Sequence, residues 1–209
     1  MSGRRMPRQK PGLSVQSVGT PWDFIVAAQQ MLGIHRFNWD LAASAGNAKV
    51  EIVPLEEAAR GFKMDRRYFH TGDDGLSQPW HRLNEYNLFH STPWNWLNPE
   101  FGQISAWAAK SCEEAELGAY TAMLVPSSTG ANWWADYVHS HAYVMALRSR
   151  IQFVGSPDPY PKDLALCLYT PQFFTGMSLW DWKADLNEAR TERYLQAEIA
   201  TVDDNEVML

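Results

Sequence analysis

The chain has 209 residues, of which 45% are hydrophobic and 20% charged, and its formal net charge is −6. This length suits one globular domain with a full core, and the acidic balance argues against a protein that coats nucleic acid by charge alone. No apolar run approaches membrane-spanning length, and no apolar signal segment follows the first residues, so we expect a cytoplasmic protein without a membrane anchor. The two cysteines, Cys112 and Cys167, are predicted to be buried thiols. No set of His and Cys residues has metal-ligand spacing, so we predict no metal site.

The N-terminal part is predicted to be an arm followed by a helix. Residues 1–18 carry basic side chains among Pro, Gly and Ser with little to bury, which predicts a disordered basic arm. Thr20 can cap the following helix, and Pro21 suits its first position. Trp22 lies on the helix face that we predict to be buried, and Gly33 is expected to end the helix.

Two stretches in the next part combine a predicted strand with acidic residues. The first strand runs from Arg36 to Leu41, and small side chains follow Asp40 from Ala42 onward. A ligand can approach the backbone closely at such a place, and a nucleoside with a charged amino-acid tail would suit it; an ordinary strand-to-helix turn is the alternative. After a second strand at Tyr68, Asp74 is either a solvated turn residue or an acceptor for a ligand's amino group.

The stretch from Trp94 to Phe101 carries the clearest chemical signal. The aromatic run Trp94–Leu97 is predicted to be a strand that stops at Asn98 and Pro99, and the ends of such strands are where ligands bind in open α/β sheets. The Asn98 side-chain oxygen and the Pro99 carbonyl can both accept hydrogen bonds from an amino group on a flat ring, on which Phe101 can stack. For this turn alone, a plain strand end is the alternative.

The remaining chain alternates predicted helices and strands. A helix follows from Ile104 to Gly118, with Glu113 and Glu114 on its solvated face. We predict strands over Ala119–Val125, Ala142–Leu147, Ile151–Val154 and Leu164–Tyr169, a helix containing Trp133 and Trp134, and a polar C-terminal helix and acidic tail over residues 186–209. Asp158-Pro159-Tyr160 starts from a proline-rich loop and not from a strand end. These elements predict a single α/β domain, residues 19–185, with a mostly parallel central sheet and helices on both faces.

With these residues in place, the chain resembles the phage-type DNA adenine-N6 methyltransferases, the Dam-like family of phages and prophages. The resemblance covers roughly residues 20 to 170 and rests on six short motifs in one order: Thr20-Pro21, Asp40 to Ser44 with Asn47 to Lys49, Asp74 to Leu76 with Trp80, Asn98 to Phe101 with Trp107, Val125 to Ser128 with Asn132-Trp133, and Arg150 to Phe153.

The resemblance implies a Rossmann-like fold that binds S-adenosylmethionine and methylates the N6 amine of adenine in DNA after flipping the base. Asn98, Pro99 and Phe101 match the catalytic signature, although Glu100 stands where a second proline is usual. The residues implied for the cofactor are Thr20, Pro21, Asp40, Ala42, Ala43 and Ser44 at its methionine end, and Asp74 and Leu76 at its adenine. The family also implies an enzyme encoded by a phage or prophage that works in the cytoplasm of a bacterial host.

Two other functions remain open from the sequence. A degenerate methyltransferase fold could bind DNA or a partner without catalysis. An active enzyme could instead methylate RNA or a protein side-chain amide, because the signature suits any planar amine. The sequence leaves the oligomeric state and the DNA target sequence open.

Overall fold

The computed structural model describes residues 19–43, 48–49, 68–69, 74–86 and 91–187. In that part of the chain the helices are α1 (Trp22–Met31), α2 (Ile104–Glu116) and α3 (Asn132–Tyr137), with short 3-10 helices at Gly75–Ser77, Trp80–Tyr86 and Phe101–Gln103. The strands are β1 (Trp94–Leu97), β2 (Tyr120–Pro126), β3 (Tyr143–Leu147), β4 (Leu164–Tyr169) and β5 (Gly176–Trp180). No helix among the described residues is long and apolar enough to cross a bilayer.

The five strands form one mixed sheet in the order β1-β2-β4-β3-β5. β1 runs parallel to β2, and β3 runs parallel to β5, but β4 is antiparallel to both of its neighbours. The prediction of a mostly parallel sheet therefore misses β4. The described connection from β3 to β4 contains no helix, and strands joined without a helical crossover run antiparallel.

A further segment extends the sheet beyond β1. Asp40 forms parallel bridges with Trp96 on one side and with Tyr68 on the other. The Asn38 and Leu41 amides donate to the carbonyls of Trp94 and Trp96, at 2.6 and 2.9 Å. In space the order is therefore Tyr68, Asp40, β1, β2, although Tyr68 follows Asp40 in the chain. The chain reverses its direction across the sheet between the Asp40 segment and β1.

Hydrophobic residues pack on both faces of the sheet, which confirms the α/β prediction with helices on both sides. In β2 the side chains alternate, so that Ala122 and Leu124 join the cluster with α1 while Met123 and Val125 join the cluster with α2 and α3. Because each face of the sheet is covered, every residue of β2 after the first is buried.

Several local predictions were wrong. Trp22 is 50% exposed, because the residues of α1 that turn toward the sheet are Phe24, Ile25, Ala27 and Ala28. No side chain caps α1, whose N-cap is Pro21. The stretch 151–154 is not a strand; Ile151 and Phe153 are buried in the core without strand pairing, and Val154 is exposed. β5 has no counterpart among the predicted strands, because its apolar residues Met177 and Leu179 point outward, at 63% and 70% exposed.

Other local predictions are confirmed. Gly118 follows α2 with a φ of 111°, a conformation that favours glycine and ends the helix. Cys112 and Cys167 are both buried free thiols. Residues 182–187 are helical and Leu186 packs in the core. Apart from residues 186 and 187, the predicted C-terminal helix and tail lie outside the described residues, as does the arm 1–18, so both stay predictions.

Candidate active site

The turn after β1 presents an amide oxygen that has no hydrogen-bond donor among the described residues. Asn98 follows the last residue of β1 and is half-buried. Its Nδ2 donates to Thr20 Oγ1 at 3.2 Å. Asn98 Oδ1 accepts no hydrogen bond from the described residues, so it can accept one from an amino group at the carboxyl end of β1. Pro99, which is buried, fixes the chain direction beyond it.

Phe101 lies in an aromatic corner next to this turn. Its ring packs against the ring of Tyr160, with centroids 5.7 Å apart and planes at 66°. Tyr160 in turn meets the edge of Phe153 at 5.8 Å, and its backbone N–H donates to Ile151 O at 2.8 Å. Burial raises the pKa of the Tyr160 hydroxyl. The proline-rich loop thus reaches the Asn98 turn through Tyr160. In the sequence, the one signal for this contact is an aromatic side chain among prolines.

Thr20 and Pro21 lie beside the same turn. Thr20 is only 1% exposed, and its hydroxyl contacts Asn98 instead of capping α1 as predicted. The Pro21 carbonyl accepts hydrogen bonds from the amides of Phe24 and Ile25 at the start of α1. The structure therefore brings Thr20, which the resemblance assigns to the cofactor, into direct contact with the residue assigned to catalysis.

Asp40 is a buried carboxylate that holds the following loop. It is 3% exposed, with Oδ2 accepting from the Lys49 amide at 2.9 Å and Oδ1 from the Ala42 amide at 3.4 Å. Burial raises the pKa of Asp40 to about 7, against the opposing effects of these hydrogen bonds and of the Lys49 charge. Two accepted bonds leave lone pairs on the carboxylate for a ligand.

Lys49 closes this region from the side of α1. It is 8% exposed, and its Nζ lies over the ring of Trp22 at 4.9 Å from the centroid. Burial lowers the pKa of Lys49, while the nearby charge of Asp40 raises it. This cation–π contact gives the exposed Trp22 ring a partner at the surface.

The predicted adenine-side segment lies against the same backbone. Asp74 is exposed and adopts a left-handed conformation with φ 47°. A Cβ on Gly75 would collide with the Leu41 carbonyl and come within 3.1 Å of the Trp107 ring, so only glycine permits this approach. Leu76 is half-buried and packs against the same core cluster as Ala42. The Asp40 and Asp74 segments are thus neighbours in space, as a common ligand would require.

The other predicted cofactor residues are placed unevenly. Ala43 is buried, and its amide donates to Phe69 O at 2.9 Å. Ala42 is partly exposed, so a ligand can reach the backbone there. Ser44 lies outside the described residues. The assignment of all these residues to a cofactor stays a prediction.

One ionic cluster lies outside this set of predicted site residues. Glu114, predicted to be solvated, is 2% exposed. It accepts from the His81 amide at 2.9 Å, from His81 Nδ1 at 2.7 Å and from Lys110 Nζ at 2.5 Å. Burial alone would raise the pKa of Glu114, but the hydrogen bonds from Lys110 and His81 hold it below its usual range. No three His, Cys, Asp or Glu residues of the described part are grouped as a metal would need.

The comparison with known families agrees with the motifs that the structure brings together. The model of the DNA N-6-adenine-methyltransferase (Dam) family matches residues 16–163, which is more than half of the chain. A search of curated proteins finds no match. The matched region contains every predicted catalytic and cofactor residue, from Thr20 to Phe101, and it confirms the resemblance seen in the sequence. The chain belongs to the DNA N-6-adenine-methyltransferase (Dam) family.

Proposed function

We propose that the protein transfers a methyl group from S-adenosylmethionine to the exocyclic N6 amine of adenine in DNA. The observation that carries the proposal is the position of Asn98. It follows β1 at the end of the sheet where the Asp40 segment also ends, and its Oδ1 accepts no hydrogen bond from the described residues. Membership of the family supports DNA adenine as the substrate.

The strand order supports a ligand site at this edge. In open α/β sheets, ligands bind beyond the carboxyl ends of the strands where the chain reverses its direction across the sheet. Here that reversal falls between the Asp40 segment and β1. This order supports a Rossmann-like arrangement, and we propose that the cofactor lies over the ends of β1 and of the Asp40 segment.

The residues at the crevice suit S-adenosylmethionine. The Asp40 and Asp74 carboxylates are acceptors for ammonium and hydroxyl groups, Ala42 leaves the backbone accessible, and Leu76 offers an apolar contact for a purine. The Gly75–Leu41 contact holds the two segments close enough to share one ligand. When bound, the cofactor supplies a methyl group on a positively charged sulfur.

The chain's own contribution is to bind and orient the target amine. The lone pair of that amine is delocalised into the ring, so two acceptors that draw its hydrogens out of plane make it more nucleophilic. We assign these roles to Asn98 Oδ1 and the Pro99 carbonyl, which are held in place before the reaction. Phe101, supported by Tyr160, offers the ring on which the base stacks. The base must leave the duplex to reach this turn.

The test combines cofactor titration with transfer of labelled methyl groups to unmethylated DNA. Asn98→Ala should keep cofactor affinity and lower the rate by about a hundred- to a thousand-fold, the usual loss for one preorganised polar group. Gln172→Ala is the matched control. Gln172 donates to Tyr120 Oη at the first residue of β2, which lies at the opposite end of the strands from Asn98. A parent that binds DNA but never transfers a methyl group would support the binding-protein alternative. Transfer to RNA or to a protein amide, but not to DNA, would support the other.

A further inference from the structure

Lys49 is a nearly buried cation that has no anionic partner among the described residues. It is 8% exposed, and lysine is rarely buried to this extent unless it is paired. None of the ion pairs between described residues involves it. Its Nζ lies over the ring of Trp22, a contact that offsets only part of the cost of burying an ammonium group. The three donors of this ammonium therefore suit an anionic ligand.

Lys49 connects the two segments that the family resemblance assigns to the methionine end of the cofactor. Its amide donates to Asp40 Oδ2 at 2.9 Å, which fixes the Lys49 backbone beside the end of the first segment. Trp22, which lies under Nζ, is the first residue of α1 and directly follows Thr20 and Pro21. The ammonium of Lys49 is thus held where these two segments meet.

The charges at this place suit a zwitterion. The carboxylate of Asp40 and the ammonium of Lys49 influence each other electrostatically, but they form no ion pair. The methionine end of S-adenosylmethionine carries an ammonium and a carboxylate on the same carbon, so its binding needs an anion and a cation that are near each other and not paired. No side chain caps α1, which begins here, and the positive end of its dipole also favours a carboxylate.

We propose that Lys49 binds the carboxylate of S-adenosylmethionine through its ammonium group, while Asp40 accepts from the ammonium group of the same ligand. The inference rests on the proposed function and adds a residue that the resemblance does not assign to the cofactor. The carboxylate is the same before and after methyl transfer, so Lys49 contributes equally to binding in the ground state and the transition state. Its loss should therefore raise the KM for the cofactor and leave kcat unchanged.

The test is isothermal titration with two ligands that differ only in this carboxylate, S-adenosylmethionine and its decarboxylated form. The parent should bind the decarboxylated form about ten- to a hundredfold more weakly, the effect of one hydrogen bond to a charged group. Lys49→Met keeps the length of the side chain and removes the ammonium. It should weaken binding of S-adenosylmethionine by a similar factor, and bind the decarboxylated form within about threefold of the parent.

Lys183→Met is the matched control. Lys183 is exposed, and its Nζ lies over the Trp182 ring at 5.4 Å from the centroid, so this variant also loses a cation–π contact and a positive charge. It should leave both affinities unchanged. Equal affinities of the parent for the two ligands, or an equal loss for both in Lys49→Met, would overturn the inference and leave the proposed function standing. A parent that binds neither ligand would overturn the proposed function, and the inference with it.

A measurement on the parent covers the case in which Lys49→Met does not fold. The NMR signal of the Lys49 Cε methylene group, next to the ammonium, can be assigned from its loss in Lys49→Arg, which keeps the charge. This signal should shift when S-adenosylmethionine is added and stay in place with the decarboxylated form. A signal that responds equally to both ligands, or to neither, would overturn the inference.

Discussion

Asp40 makes a quantitative prediction about stability and pH. Burial raises the pKa of its carboxyl group from an ordinary value of 3.8 to about 7 in the folded protein. Between these two values the unfolded chain is ionised while the folded protein keeps the proton, so stability falls as the pH rises. One pKa unit corresponds to 1.36 kcal/mol, so ionised Asp40 lowers the free energy of unfolding by about 4 kcal/mol above about pH 7.

Asp40→Asn removes the charge and keeps the shape. The amide has one acceptor oxygen for two backbone donors, Ala42 N and Lys49 N, so at about pH 4 we expect it to be less stable than the parent by about 1–3 kcal/mol. At about pH 8 the variant has no carboxyl group at position 40 to ionise, so its free energy of unfolding is not lowered as that of the parent is. The difference in unfolding free energy should therefore move by up to about 4 kcal/mol in favour of the variant between these two pH values.

The assay is urea unfolding followed by tryptophan fluorescence, for which the chain has ten tryptophans, across that pH range. Asp136→Asn, at an exposed position on α3, is the control. The difference in unfolding free energy between this variant and the parent should change little across that pH range. A difference between parent and Asp40→Asn that stays constant with pH would refute a raised pKa at Asp40. It would also remove the reason to regard the ionised carboxylate of Asp40 as destabilising.

Three further substitutions test other contacts. Tyr160→Ala removes the ring beside Phe101 and should weaken DNA binding by about two- to tenfold, the worth of one aromatic pair, measured as KM for DNA. Glu114→Ala should lower the free energy of unfolding by about 1–3 kcal/mol at neutral pH, because it leaves the half-buried donors of His81 and Lys110 unpaired. Glu113→Ala, at an exposed position, should change it by less than about 0.5 kcal/mol. Gly75→Ala should cost about 1–3 kcal/mol of stability, because its Cβ has no room, and should weaken binding of S-adenosylmethionine.

Each of these has a control or a contradicting result. Tyr160→Phe keeps the ring and should match the parent in KM. Equal stabilities of the Glu113 and Glu114 variants would show that the buried cluster contributes nothing. Gly130→Ala, with no atom within 4 Å of the added Cβ, should be neutral. A Gly75 variant with parental cofactor affinity would separate this contact from the cofactor site.

The sequence by itself determined the parts that depend on local pattern. The buried face of α2, with Trp107, Ala108, Cys112 and Ala115, follows from helical periodicity. The strand β1 and the turn at Asn98 follow from a short aromatic run that stops at Asn-Pro. These features need only neighbours within a few positions of the chain, and the order of such motifs was enough to indicate the family.

The tertiary structure decided which distant residues meet. Periodicity placed Glu114 on a solvated face, but His81 covers that side of the helix and turns Glu114 into a buried acceptor. The local pattern predicted that Thr20 caps a helix, whereas in the folded protein its hydroxyl oxygen accepts a hydrogen bond from Asn98 Nδ2. A polar side chain bonds to whichever donor or acceptor the fold brings within about 3 Å, and chain neighbours alone do not determine that choice.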